Sequence, residues 1–319
     1  MTKLPAGIHP HIRINSYGWY LRKRFSCRVS KVNVDAGFTC PNRDGSRGSG
    51  GCIYCDNSSF SPGATQANIA IEEQMAAGMA YHRQRLGSEK FIIYFQKFTN
   101  TYADIAHLRD LYTKALAHPD VVGISIGTRP DAISTGIADL LQELAEKKYL
   151  CLELGLQSMD DGILSRINRG HTFEEYLASV TTLQGRGLDI CTHLIYGFPG
   201  ESRESFLKTA GLIGDLGINS VKLHQLHAVK GTKLAEQYYS GGFVPLEMHE
   251  YIETACDFLE RIPPDVTIQR LYGSAPLSIR VAPQWGLKNN QMWYAVLNEL
   301  KKRDSWQGKL WGKNHDGHQ

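Results

Sequence analysis

Residues 35–60, Asp35 to Phe60, read DAGFTCPNRDGSRGSGGCIYCDNSSF and gather three of the chain's seven cysteines, Cys40, Cys52 and Cys55, in one glycine-rich stretch. The stretch directly follows a short apolar run, Val32 to Val34, of strand character. Thiolates this close together on pliant backbone can converge on one soft metal centre, zinc or iron–sulfur. A closed structural zinc site takes four ligands, and between His11 and His82 no histidine and no further cysteine beyond Cys27 supplies the fourth. Three ligands leave one metal position open, where a substrate or cofactor binds. A lone Cys-x2-Cys is equally the mark of a zinc knuckle or a redox pair.

At 319 residues and 42% hydrophobic content the chain can build a large core, and one domain with short extensions is expected. Its parts are a basic amino-terminal extension (1–30), a core domain (31–240) and a carboxy-terminal extension (241–319) ending in a disordered glycine-rich tail that carries His315 and His318. The odd cysteine count, with Cys151, Cys191 and Cys256 inside apolar runs, argues against a disulfide framework and for reducing cytoplasm. Those three read as buried small hydrophobes. The first residues lack an apolar core of signal-peptide length, and no apolar run reaches the roughly 18 residues of a membrane span.

Net charge is only +3, so the whole chain makes no electrostatic case for nucleic acid. Lys3, Arg13, Arg22, Lys23, Arg24, Arg28 and Lys31 nevertheless face a single acid, Asp35, and Tyr17, Trp19, Tyr20 and Phe25 lie among them. Such a segment suits phosphate contact with base stacking, or else is a solvated arm whose aromatics pack on the core.

Strand-length apolar runs alternate with helical patterns. Strands are expected at 31–35, 91–95, 121–126, 150–154, 188–195 and 220–223, and helices at 68–85, 104–117, 137–147, 173–185 and 204–216. Repeated strand–helix units imply a parallel sheet with right-handed crossovers. Past residue 241, a helix (245–261), a possible strand (266–270) and a helix (289–303) follow. A polar cluster sits just past each strand: Cys40; Gln96, Lys97 and Asn100; Thr128, Arg129 and Asp131; Gln157 and Ser158; His193 to Glu201; then His224, Gln225, His227 and Lys230. In an open sheet only the ends near the switch point meet, whereas in a barrel all six surround one mouth. The pattern therefore favours a partial (β/α)6 TIM-like barrel.

Three cysteines after the first strand, with Tyr54 just before the last, resemble the radical S-adenosylmethionine (SAM) superfamily. The stretch from His193 to Glu201 (HLIYGFPGE) is similar to that superfamily's fifth-strand signature, and Glu153 to Ser158 (ELGLQS) with Arg169 to Thr172 (RGHT) to its fourth. DAGFTCPNRDG, YFQKFTNTYA, IGTRPD and LYGSAPLSIRVAPQWGLKNN resemble the YhcC/YtqA type in particular, a neighbour of the Elongator catalytic subunit group.

The resemblance implies that Cys40, Cys52 and Cys55 hold a [4Fe-4S] cluster whose fourth iron chelates SAM. One electron then cleaves the sulfonium to a 5'-deoxyadenosyl radical, which takes hydrogen from the substrate. It also implies that Tyr54 flanks the adenine, that Gln157 and Arg169 hold the ribose and carboxylate, and that Ile195 and Gly197 line the adenine site. Three departures stand out. Eleven residues separate Cys40 from Cys52 where three are commonest; Gln96 and Lys97 stand near the place of a second-strand Gly-Gly-Glu; and His193 takes a position where relatives often carry an acid.

For the substrate, His224, His227 and Lys97 are the candidate catalytic groups, able to bind an anion or move a proton, with Asn100, Arg129 and Lys230 nearby. Likeness to the Elongator group implies tRNA wobble-uridine side-chain modification, with a low-potential electron donor such as flavodoxin or ferredoxin and no membrane partner. The basic start and the run Lys301 to Arg303 with Trp306, Lys309, Trp311 and Lys313 are compatible with RNA. Two other classes stay open: a radical SAM enzyme acting on a small metabolite or peptide, and a non-enzymatic zinc-binding RNA module.

Overall fold

The computed structural model describes residues 4–5, 8–9, 11–56, 67–273, 275–287 and 289–312. Lys3, Lys313, His315 and His318 lie outside the described residues. Seven strands form one sheet: β1 (Val29–Val34), β2 (Lys90–Phe95), β3 (Val121–Thr128), β4 (Tyr149–Gln157), β5 (Asp189–Tyr196), β6 (Ser220–Gln225) and β8 (Thr267–Arg270), in that spatial order. All six pairings are parallel. A short ladder of β7 (Ala228–Val229) with β9 (Arg280–Ala282) is antiparallel. The central strands are apolar almost throughout because helices cover one face and the barrel interior the other, as β4 shows with eight buried residues before Gln157. The additional strand expected at 266–270 is β8, and it extends the sheet beyond β6.

The crossover helices are α2 (Ile71–Leu86), α3 (Ile105–Ala117), α4 (Thr135–Ala145), α5 (Asp161–Arg166), α6 (Phe173–Leu183) and α7 (Arg203–Asp215). Most begin on a side-chain cap that satisfies first-turn amides: Asp104, Ser134, Asp160 and Ser202, and Thr172 in a full capping box with Glu175. Beyond the sheet lie α8 (Lys233–Tyr239), α9 (Met248–Arg261) and α10 (Asn289–Lys302), the last two packed on each other.

Curvature can be read from one carboxylate. In a flat sheet β1 and β6 would stand about 24 Å apart, five inter-strand steps. Yet Lys31 of β1 donates to Glu153 Oε1 at 2.6 Å and Lys222 of β6 donates to Glu153 Oε2. Lys31 also reaches Gln269 Oε1 of β8, at 2.8 Å, so the two edge strands face each other across the interior. The sheet is a half-barrel, as the polar strand ends suggested.

Its amino-terminal base is closed by α1 (Tyr17–Phe25). Leu21 is buried there with Tyr149, Cys151 and Cys191, and Tyr17, Tyr20 and Phe25 pack around them. Tyr20 donates to Asp189 Oδ2 at 2.8 Å, at the start of β5. Of the two readings of the basic segment, packing of its aromatics is the one observed; Arg22, Lys23, Arg24 and Arg28 stay exposed at the end opposite the barrel mouth. Among the described residues no helix is long and apolar enough to cross a membrane.

Candidate active site

The cysteine stretch leaves β1 and folds back on itself. Arg43 N donates to Cys40 O at 2.8 Å, Arg47 N to Pro41 O, and Gly51 N to Asn42 O. It is then stitched to the barrel, with Ile53 N bonding Ile167 O behind α5 and Leu234 N bonding Ile53 O from α8. Cys40, Cys52 and Cys55, all free thiols, line one cavity of about 160 Å³ at the carboxyl ends of the strands. Tyr54, Gln96, Gln157, Arg169, His193, Ile195 and His224 line the same cavity. Among the described residues no three His, Cys, Asp or Glu side chains converge on a site for a single metal ion.

Arg169 is the cation beside Cys52. It is buried, lies 3.6 Å from Cys52 Sγ, donates to Gly155 O at 2.7 Å and to His171 Nε2 at 2.9 Å. Burial and the adjoining Arg169 push His171 down to about 3, so the ring is neutral and accepts. Arg129, paired with Asp131, holds Arg169 from behind through the latter's carbonyl oxygen, at 2.7 Å. Gly155 leaves room for this arrangement: a Cβ there would stand 2.7 Å from both Arg169 Nη2 and Gln157 Nε2. Gln157 itself has φ +77°, next to an irregularity in the β4–β5 pairing. Such strain, about 1–3 kcal/mol for a non-glycine residue, collects where the backbone must aim a side chain.

Burial pushes the Cys55 thiol up to about 11, with Cys52 adding to it, so Cys55 tends to stay protonated without a cation to replace the proton. Thr99 Oγ1 lines the cavity and Asn42 Oδ1 sits behind Cys52; both are buried without a hydrogen-bond partner. Three thiols, an adjoining guanidinium and unmet polar atoms fit a bound cluster with a polar ligand.

Beneath this rim lies a group of charges that sequence reasoning missed. Glu153 accepts from Lys31, Tyr94, Ser125, His193 and Lys222, one from each of five strands. Burial alone raises its carboxyl, but Lys222 and Lys31 overcome this and hold it well below the usual range. Burial lowers Lys222 to about 8 and His193 to about 4. The signal was present, since Lys31, Glu153 and Lys222 each interrupt an apolar strand.

Three candidates stand outside the cavity's lining. Lys97 is buried in an ion pair with Asp35 at 3.0 Å. His227 is buried beside Gln225, and burial lowers it to about 4. Gly197, at φ +103°, packs against Leu246, and its N–H donates to Glu201 Oε2 at 3.4 Å. Burial raises Glu201 to about 7 despite a 2.8 Å bond from Ser158.

Two family models match successive parts of the chain: the Radical SAM superfamily over residues 42–213 and the Radical_SAM C-terminal domain over 218–302. "Uncharacterized protein YtqA" of Bacillus subtilis (strain 168) is 37% identical over 298 residues, 93% of this chain and 92% of its own length. A tRNA uridine(34) acetyltransferase of Methanocaldococcus infernus is 28% identical over 185 residues, 57% of this chain but 34% of that protein. Among solved structures, archaeal Methanocaldococcus infernus Elp3 lacking residues 1–46 superposes with TM-score 0.66 at 21% identity, covering 88% of this chain and 64% of that one. This last likeness concerns the fold. The chain belongs to the radical SAM superfamily, in company with YtqA, and is a radical SAM enzyme.

Proposed function

We propose that Cys40, Cys52 and Cys55 hold a [4Fe-4S] cluster that carries SAM, and that the enzyme modifies the side chain of a tRNA wobble uridine. The observation that carries the first part is that all three cysteines line one cavity, together with Arg169, Gln157 and unpartnered polar atoms. When bound, the pair supplies one-electron cleavage of a sulfonium and hydrogen abstraction, fed by a flavodoxin or ferredoxin. Arg169 neutralises thiolate charge at Cys52. Gln157, whose side chain has no protein hydrogen bond among the described residues, offers its amide to the ligand's ribose, and Tyr54 and Ile195 keep water from the adenine. The tRNA part is supported by the similarity to a tRNA uridine(34) acetyltransferase.

Anaerobic reconstitution tests the first part. About four irons and four sulfides per chain are expected, falling in Cys40→Ala, whereas one zinc per colourless chain contradicts it. Nucleosides from tRNA of a strain lacking the protein test the second: a wobble-uridine derivative should change in abundance, and an unchanged profile removes the tRNA assignment.

A further inference from the structure

Four arginines line the cavity, and three are held by the protein. Arg43 donates to Cys55 O, Arg129 to Asp131 and Arg169 O, and Arg169 to Gly155 O. The side chain of Arg270, the last residue of β8, has no hydrogen bond or ion pair among the described residues. Glu153 is the only acid among the described lining residues, and Lys31 and Lys222 already answer it. Register sets Arg270 beside Lys222, so two cations neighbour each other, with the neutral His193 on the far side of Lys222.

His224, near the end of β6, lines the same side of the cavity, and its Nε2 is buried without a partner. The ring is fixed by stacking 6.0 Å from His193 and by Gly273, where a Cβ would stand 2.4 Å from Nδ1. Burial, then Arg270, keeps this imidazole well below its ordinary range, so it is neutral and carries one N–H. A guanidinium without a protein partner, an imidazole whose buried Nε2 can donate in the tautomer that places its N–H there, and excess positive charge suit one partner, an oxyanion.

We propose that Arg270 and His224 form a substrate subsite that receives an anionic oxygen group, carboxylate or phosphate. The inference rests on the radical SAM assignment of this cavity, because the resemblance reserves the cofactor's own carboxylate for Arg169 and Gln157. β8 is the sheet edge opposite β1, whose end leads into the cysteines, so the subsite lies across the mouth from them.

The test is thermal unfolding of the anaerobically purified full chain in acetate, in inorganic phosphate, and in chloride at matched ionic strength. One of the two oxyanions should raise the midpoint saturably by about 2–4 °C, as a ligand bound only to the native state does. The effective anion tells carboxylate from phosphate. Arg270→Gln should abolish the response with a basal midpoint no lower than wild type, since it removes an unpaired cation next to Lys222; Arg270→Lys should retain part of it. A rise that chloride reproduces, no rise at all, a full response in Arg270→Gln, or loss of folding in that variant overturns the subsite. Small ions report here without RNA, so an unchanged nucleoside profile leaves this result untouched, and the reverse.

Discussion

The carboxylate of residue 153 is buried between two lysines, and that fixes what its replacement does. Removing one partner of a buried ion pair leaves the other charges uncompensated, at a cost of about 3–5 kcal/mol. Glu153→Gln keeps the volume but strands Lys31 and Lys222, so the unfolding free energy from urea titration should fall by that amount, and Glu153→Gln with Lys222→Met should recover much of it. An unfolding free energy within about 0.5 kcal/mol of wild type would show that the network does not stabilise the barrel. Glu153 was quoted as part of a motif yet not assigned a place. A parallel strand buried on both faces shows no alternation, so its sequence does not say which residues point inward. The polar strand ends were legible because a polar residue has a reason to stand at a mouth. Lys97 and His227 have the same composition signal, but Asp35 and Gln225 hold them away from it.

At the scale of elements, the strands and crossover helices agree with the apolar periodicity to within a few residues, whereas α1 was missed. Its buried face is Tyr17, Tyr20, Leu21 and Phe25, a helical spacing, but the cations between them drew attention to charge instead. Its C-cap is Ser26 in the left-handed conformation, with no glycine to announce the end. Helix α1 acts as the stopper of the barrel's base, and Leu21 is its deepest residue. Leu21→Ala should lower stability by about 2–5 kcal/mol, the range for a truncated buried leucine. Arg22→Gln and Lys23→Gln, on the exposed face, should change it by less than about 0.5 kcal/mol. Equal effects of the inner and outer substitutions would mean that α1 does not close the base. Short pieces such as α5, α8 and the β7–β9 ladder were also not legible, because two to seven residues carry too little periodicity.

The two ends of the chain meet under the barrel. Asn15 N bonds Gln307 Oε1, Ile268 N bonds Asn15 O, and Arg13 pairs with Asp304, so α1 and the carboxy-terminal segment belong to one body with the sheet. That body buries several histidines in neutral form, and its stability should therefore depend on pH with a definite sign. Burial holds His193 and His227 at about 4 and His171 at about 3, against about 6.5 in an unfolded chain. Below that unfolded value the unfolded state binds protons the folded state refuses, so their contribution is complete above about pH 6.5 and is lost as pH falls toward 4. Glu201 opposes them: raised to about 7, it keeps a proton that the unfolded chain releases above about 4.5, and its contribution declines as pH rises through that interval. With His224 held low as well, the imidazoles outnumber Glu201 and leave acidification destabilising, each unopposed proton being worth up to about 1.4 kcal/mol per pH unit. The urea midpoint should be lower at pH 5 than at pH 7, and Glu201→Gln, by removing the opposing group, should steepen the difference. A midpoint at pH 5 equal to or above that at pH 7 would mean that these imidazoles are not held neutral inside the barrel.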